Sequence, residues 1–201
     1  MIEREIAMLG EAGLDIAHAF DAHAMASVPG WEMLAGDPRL GILVGNTRAL
    51  WPPFTAAMRE PALAARPHPL EHYVELAIDR AFPAARIYYS HRLYRGAFLP
   101  FQKLAVATGL AALSDGGLVI HPEYGPWLAL RAVVVIEGQP VSRTPIAKPC
   151  ACDARCAETL EIALAGGDWR AWLAVRDSCT LRKHRYDDDQ IRYHYTKAWE
   201  R

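Results

Sequence analysis

Apolar positions in the first 27 residues fall at Ile2, Ile6, Leu9, Ile16, Phe20 and Ala24, the spacing of a helix with one buried face, and Val28-Pro29-Gly30 ends the run. Leu40 to Val44 is a short apolar stretch leaving for Gly45-Asn46-Thr47, which predicts a buried strand followed by a turn. A helix interrupted by Pro52-Pro53 runs to about residue 60, and residues 70, 73, 74, 77, 78 and 81 mark the apolar face of another. Ala85 to Leu93 alternates around two tyrosines and predicts a strand. Residues 101 to 113 predict an amphipathic helix, stopped by Ser114-Asp115-Gly116-Gly117 before a second apolar strand at Leu118-Val119-Ile120. Trp127 to Ile136 is nearly all apolar and predicts a central strand. Between these two strands, His121-Pro122-Glu123-Tyr124-Gly125-Pro126 predicts a rigid turn, because each proline fixes its own torsion and biases its predecessor toward extended backbone. A proline-rich connector at 140–149 leads to helices at about 156–165 and 169–175, then to a polar, aromatic tail. Helices and strands interleave without a regular strand-helix-strand count, so the expected class is α+β in one domain spanning 1–201.

Composition narrows the function classes. Of 201 residues, 52% are apolar and 22% charged, the balance of a chain with one substantial core. The formal net charge of -1 gives no basic field for nucleic acid or an anionic membrane, so a small-molecule partner is expected. The N-terminus mixes charged and apolar residues, unlike a secretory signal, and no apolar run is long enough to cross a bilayer. Four cysteines, three of them within 150–156, fit a reducing, cytoplasmic setting better than a disulfide framework.

The segment Gly117 to Ile136, with its His-Pro-x-aromatic-Gly-x-Trp turn, resembles the matching part of the CblC-type cobalamin-processing proteins. The likeness extends to Lys148-Pro149, Trp169-Arg170-Ala171-Trp172 and Arg185-Tyr186, and covers residues 101–201 most clearly. A more distant resemblance is to the corrinoid domain of epoxyqueuosine reductases and reductive dehalogenases. Those enzymes add ferredoxin-type cysteine runs, whereas Cys150, Cys152 and Cys156 have other spacings and no terminal Cys-Pro.

The resemblance implies a flavin-nitroreductase-like sheet with flanking helices. It also implies base-off binding of cob(III)alamin and removal of the upper axial ligand, by reductive decyanation or thiol-dependent dealkylation. FMN or FAD, or a partner reductase, would supply electrons, glutathione would be the thiol, and a cobalamin client protein is a further expected partner. The resemblance places the corrin against Gly116, Gly117, His121, Tyr124, Gly125 and Trp127, and assigns Arg131, Arg170 and Arg185 to the reacting thiol's carboxylates. It requires the 117–136 segment, read as a strand-turn-strand hairpin, to wall a cavity wide enough for a tetrapyrrole.

On chemistry alone, glycines let backbone approach a ligand, Tyr124 and Trp127 offer flat surface, and His121 either coordinates cobalt, holds a ligand amide or is a structural histidine. The three arginines are equally compatible with surface ion pairs. Asp21-Ala-His23 approximates a cobalt-ligand motif but lacks its glycine, so no histidine-on binding and no protein metal ligand is expected. Cys150, Cys152, Cys156 and Cys179 admit three readings: simple thiols, a metal site, or an intramolecular reductant. The alternative functions are a flavin-dependent reductase without a corrin, and a non-catalytic carrier of cobalamin or metal.

Overall fold

The computed structural model describes residues 2–31, 40–151 and 154–198. Its centre is a four-stranded antiparallel sheet in the order β1 (Ile16–Asp21), β2 (Leu40–Asn46), β8 (Ala129–Ile136), β3 (Arg86–Tyr89). β2 is buried at every position and β8 at its four middle residues, because helices or loops cover both faces of the sheet. A strand covered twice has no solvent side, which is why both read as continuous apolar runs.

On one face, Ile42, Val44, Ala132 and Val134 pack against α1 (Glu3–Glu11), α2 (Trp51–Ala57) and α4 (Pro69–Ala81) through Leu9, Phe54, Val74 and Ile78. On the other, Leu43, Val133 and Val135 meet Trp31 and the apolar side of α5 (Phe101–Ala107). Each fully buried aliphatic side chain contributes about 2 kcal/mol of transfer free energy, so the two clusters flanking β2 and β8 dominate the fold's stability. The short α3 (Pro61–Ala64) bridges α2 and α4. The α+β expectation is met.

The N-terminal region departs from its pattern. In place of one helix to residue 27 there is α1, then the edge strand β1, then a 3-10 turn over Ala22–Ser27 capped by the Asp21 carboxylate. Gly13 forces the break: its φ is +79°, and a Cβ there would stand 2.6 Å from the Ala49 carbonyl oxygen. Ile16 and Phe20 are four residues apart, a spacing that places two side chains on one face of a helix and equally of a strand.

Two further boundaries differ. Pro52 and Pro53 open α2 instead of interrupting a helix, since the first turn needs no amide donors. The helix expected over 101–113 stops at Ala107, where the amides of Leu110 and Ala111 fold back onto the Ala105 carbonyl. The chain then enters β6 (Ala112–Leu113), which pairs with β7 (Val119–Ile120) across the Ser114–Leu118 turn. A second small hairpin joins β4 (Leu93–Tyr94) to β5 (Ala97–Phe98).

This pairing corrects the expected hairpin between 117 and 136. Strand β7 turns back on β6, while β8 pairs with β2 and β3 in the main sheet. Three C-terminal helices follow: α6 (Ala154–Leu164), α7 (Trp169–Ser178) and α8 (Asp188–Thr196). α8 brings Tyr193 into the first core, 5.5 Å from the rings of both Trp51 and Phe54, and so ties the C-terminal region to the start of the chain. Among the described residues no helix is long and apolar enough to cross a membrane.

Candidate functional site

The turn between β7 and β8 is closed by its own backbone. His121 and Gly125 exchange two N–H to O=C bonds of 2.9 Å each. Inside the turn, His121 Nδ1 accepts from the amides of Glu123 (3.1 Å) and Tyr124 (3.3 Å), and the Tyr124 ring stacks on the imidazole at 4.5 Å. The histidine therefore holds the turn's shape and leaves Nε2 for other use. Gly125 is needed where it stands, with φ of +59° and the Leu181 carbonyl oxygen in the space a Cβ would take. That contact seats the 181–186 segment on the turn. His184 from this segment meets Tyr124 edge-on at 5.0 Å and lies 4.0 Å from the Glu123 carboxylate.

Trp127 follows the turn and is fully buried. Tyr186 packs edge-on against it at 5.4 Å, and the guanidinium groups of Arg176 and Arg185 each lie 5.6 Å from its ring centre. Among the described residues, six buried side-chain polar atoms lack a hydrogen-bond partner. Five of them lie on residues of this turn and its C-terminal cover: Trp127 Nε1, Arg176 Nη1, His184 Nε2, Tyr186 Oη and Gln190 Oε1. A buried polar atom without a hydrogen bond costs about 1–3 kcal/mol, so the turn and its cover concentrate polar groups for which the described residues supply no hydrogen-bond partner.

The three arginines do not form one cluster. Arg131 Nε donates to Asn46 Oδ1 at 2.7 Å, Asn46 donates to the Thr47 carbonyl, and Thr47 donates from both its amide and its hydroxyl to Asp15. Burial pulls the Arg131 guanidinium below its ordinary value. Arg185 forks onto Asp177 (2.8 and 3.3 Å) and reaches Asp188, and the hydrogen bond to Asp177 chiefly raises its pKa. Arg170 is 70% exposed, paired with Asp168 at the start of α7 and lying over the ring of its neighbour Trp169.

Arg176 was not among the sequence candidates. It lies seven residues after Trp169, two helical turns along the face that also carries Leu173, and an arginine on an apolar helix face was the available signal. Gly116 faces a different hollow, 3.3 Å from Leu160 as judged from a Cβ placed on it, and Gly117 has open space around it.

Two hollows flank β7. One, of about 260 Å³, is bounded by Phe101, Leu118, Pro126, Leu130 and Arg176. The other, of about 320 Å³, is bounded by Gly116, Ile120, Cys150, Cys156 and Cys179. The wall is thus not packed shut, but neither hollow is of tetrapyrrole size, so among the described residues the expected wide cavity is not formed beside this segment. Cys152 lies outside the described residues, and among those described no cluster of histidine, cysteine and carboxylate side chains is arranged to hold a metal ion. His23 sits in the 3-10 turn after β1 with its side chain 55% exposed, away from any helix interior.

The histidines set a pH dependence. Burial pushes His194 down to about 3, with the charges of Arg176, Lys197 and Arg131 adding to it, and burial also lowers His121 and His18. A histidine with a depressed folded pKa contributes stability above its unfolded value of 6.5, and that stability is lost as pH falls. His194, the strongly shifted one, then removes about 2 kcal/mol between pH 7 and pH 5. Thermal melts across this range should show the loss, and His194→Phe, which keeps ring contacts to Tyr186 and Tyr195, should reduce it. A flat wild-type profile from pH 7 to 5 contradicts this assignment.

Comparison with known proteins agrees with the resemblance. The family model described as the methylmalonic aciduria and homocystinuria type C family matches residues 97–201. The cyanocobalamin reductase / alkylcobalamin dealkylase of Bos taurus is 34% identical over 86 residues, 42% of this chain and 30% of that protein. Its Homo sapiens counterpart is 38% identical over 88 residues, with the same coverage of 42% and 30%. The chain thus spans under a third of the length of these relatives. The crystal structure of the C. elegans B12-trafficking protein CblC superposes with a TM-score of 0.70 at 16% identity, covering 96% of this chain and 90% of that one. The stretch matched by the family model is over half of the sequence and contains the turn, Trp127 and the whole C-terminal cover, and the chain belongs to the methylmalonic aciduria and homocystinuria type C family.

Proposed function

We propose that the protein binds cob(III)alamin base-off on the open side of the His121–Gly125 turn and removes its upper axial ligand, by reductive decyanation or thiol-dependent dealkylation. The observation that carries this reading is the group of unpaired buried polar atoms on Trp127, Arg176, His184, Tyr186 and Gln190 beside a fully buried tryptophan. A corrin has apolar faces and a rim of amide side arms, and amides both donate and accept, which suits indole N–H, guanidinium, phenol and carboxamide groups together. The whole chain is read as one cobalamin-binding domain, and its sheet with flanking helices as nitroreductase-like.

Cobalt supplies the redox and alkyl-transfer chemistry. The chain's residues bind and orient. His121, with Nδ1 committed to the turn, offers Nε2 to a side arm or the nucleotide tail. Tyr124 and Gly125 form the wall, backed by the buried Trp127, whereas Gly116 lines the separate hollow behind β7 and Gly117 stands in open space, so neither is carried into this site. Electrons for decyanation would come from reduced FMN or FAD, or from a partner reductase. For dealkylation the thiol is glutathione, and Arg176 is its best carboxylate anchor. No carboxylate among the described residues holds it and its Nη1 makes no hydrogen bond, although Tyr195 engages the side chain, whereas Arg185 is held by Asp177 and Asp188. Arg131 would orient the site through Asn46, and Arg170 would act at its outer edge.

Protein in excess over methylcobalamin should shift the visible spectrum to the base-off form, and an unchanged base-on spectrum rules the proposal out. Arg176→Met should raise the KM for glutathione about 10-fold or more while leaving the base-off spectrum intact, since a charge-assisted carboxylate contact is worth about 1.5–3 kcal/mol. Equal KM values in the two proteins would remove Arg176 from the role.

A further inference from the structure

The hollow behind β7 is separate from the side assigned to cobalamin, and three cysteines border it. Cys150 ends the proline-rich connector, Cys156 lies in the first turn of α6, and Cys179 closes the C-terminus of α7. Cys150 and Cys179 are buried at 8% and 7% exposure and pack with Ile120 in one small cluster. Cys156 is the more accessible, and its Sγ lies 3.8 Å from the carbonyl oxygen of Ser178, the residue before Cys179. The hydroxyls of Thr159 and Ser178, 3.3 Å apart, join the same two helix ends.

We propose that this hollow is a dithiol redox site that exchanges with low-molecular-weight disulfides, with Cys156 as the attacking thiol and Cys179 as the resolving one. Three features support it: a hollow of about 320 Å³ admits a small disulfide, one thiol is reachable, and the main chain beside the second is within contact of the first. The Cys156 thiolate attacks one sulfur of RSSR, forming a protein mixed disulfide and expelling RS⁻, which takes up the proton Cys156 lost. The Cys179 thiolate then attacks the Cys156 sulfur, forming the Cys156–Cys179 bond and expelling the second RS⁻, protonated in turn. The protein dithiol is oxidised by two electrons, RSSR is reduced to two RSH, and no other reactant is needed. Cys150, packed against Cys179, completes the apolar wall.

The test uses the reduced full-length protein without any corrinoid, so its failure leaves the cobalamin reading untouched, and the reverse holds. Hydroxyethyl disulfide is added, the reaction is quenched in acid, and the unreduced protein is mapped by mass spectrometry. The expected result is a Cys156–Cys179 link with two equivalents of mercaptoethanol released. Cys179→Ser should stall as the mixed disulfide on Cys156, and Cys156→Ser should slow thiol release by roughly 10-fold or more. The wild-type map decides the matter even where a variant folds poorly. A link through Cys152, a persistent mixed disulfide with no internal link in the wild type, or purified protein whose thiols are occupied by stoichiometric zinc would each overturn the proposal.

Discussion

Gly125→Ala is expected to unseat the C-terminal cover. The new methyl would fall on the Leu181 carbonyl oxygen, a main-chain atom that cannot rotate away, and the residue would have to keep a φ of +59° that L side chains rarely adopt. Relief requires moving either the turn or the 181–186 segment, and the second carries His184, Arg185 and Tyr186. Strain plus lost packing amounts to about 3 kcal/mol, which for a chain of this size lowers Tm by roughly 10 °C. Differential scanning calorimetry measures the shift, and hydrogen exchange should localise the loosening to residues 181–196. A variant melting with the wild type would show that the close approach of Gly125 and Leu181 does not hold the cover in place.

Trp127 carries the second large effect, and two substitutions separate its roles. Trp127→Ala removes a fully buried ring that supports Tyr186 and lies beneath two guanidinium groups, and should cost about 3–5 kcal/mol. Trp127→Phe keeps an aromatic surface and deletes Nε1, a buried donor with no partner in the protein. Removing an unpaired donor relieves a desolvation penalty, so stability should fall by under about 1.5 kcal/mol despite the smaller ring. If the indole N–H serves a corrin amide, the same change should weaken methylcobalamin binding by about 5-fold or more. Titration by visible absorption alongside thermal melts resolves the two quantities. Unchanged affinity in Trp127→Phe would leave the tryptophan a purely structural role.

Much of the fold was legible because local pattern and tertiary environment agreed. The runs at 40–44 and 127–136 read as buried strands and form the two centre strands, and the 70–81 periodicity matches α4. The first 27 residues misled because their apolar spacing satisfies two periods at once, and the deciding feature is the close contact at Gly13 with a carbonyl 36 positions later. Strand partners were equally out of reach. The apolar run at 118–120 announces a strand, yet nothing in it states that β7 pairs with β6 instead of β8.

The candidate site divides along the same line. The His-Pro turn, Tyr124, Gly125 and Trp127 are contiguous in sequence, so their grouping required no knowledge of long-range contacts. Arg176, Tyr186 and Ile191 are 49 to 64 residues further along and join Trp127 only because α7, α8 and the segment between them fold over the turn. Likewise, 22 Lys plus Arg residues carry no mark of which guanidinium will be spoken for. The acceptors that engage Arg131, Arg170 and Arg185 are Asn46, Asp168, and Asp177 with Asp188, and only the Asp168 and Asp188 pairs are local enough to foresee. What the amino-acid order determined by itself is therefore the two centre strands, the 70–81 helix, the rigid turn and the family resemblance. Which polar atoms remain unpaired, and which thiols share a hollow, was decided by packing, because hydrogen-bond satisfaction and cavity walls depend on residues brought together from distant parts of the chain.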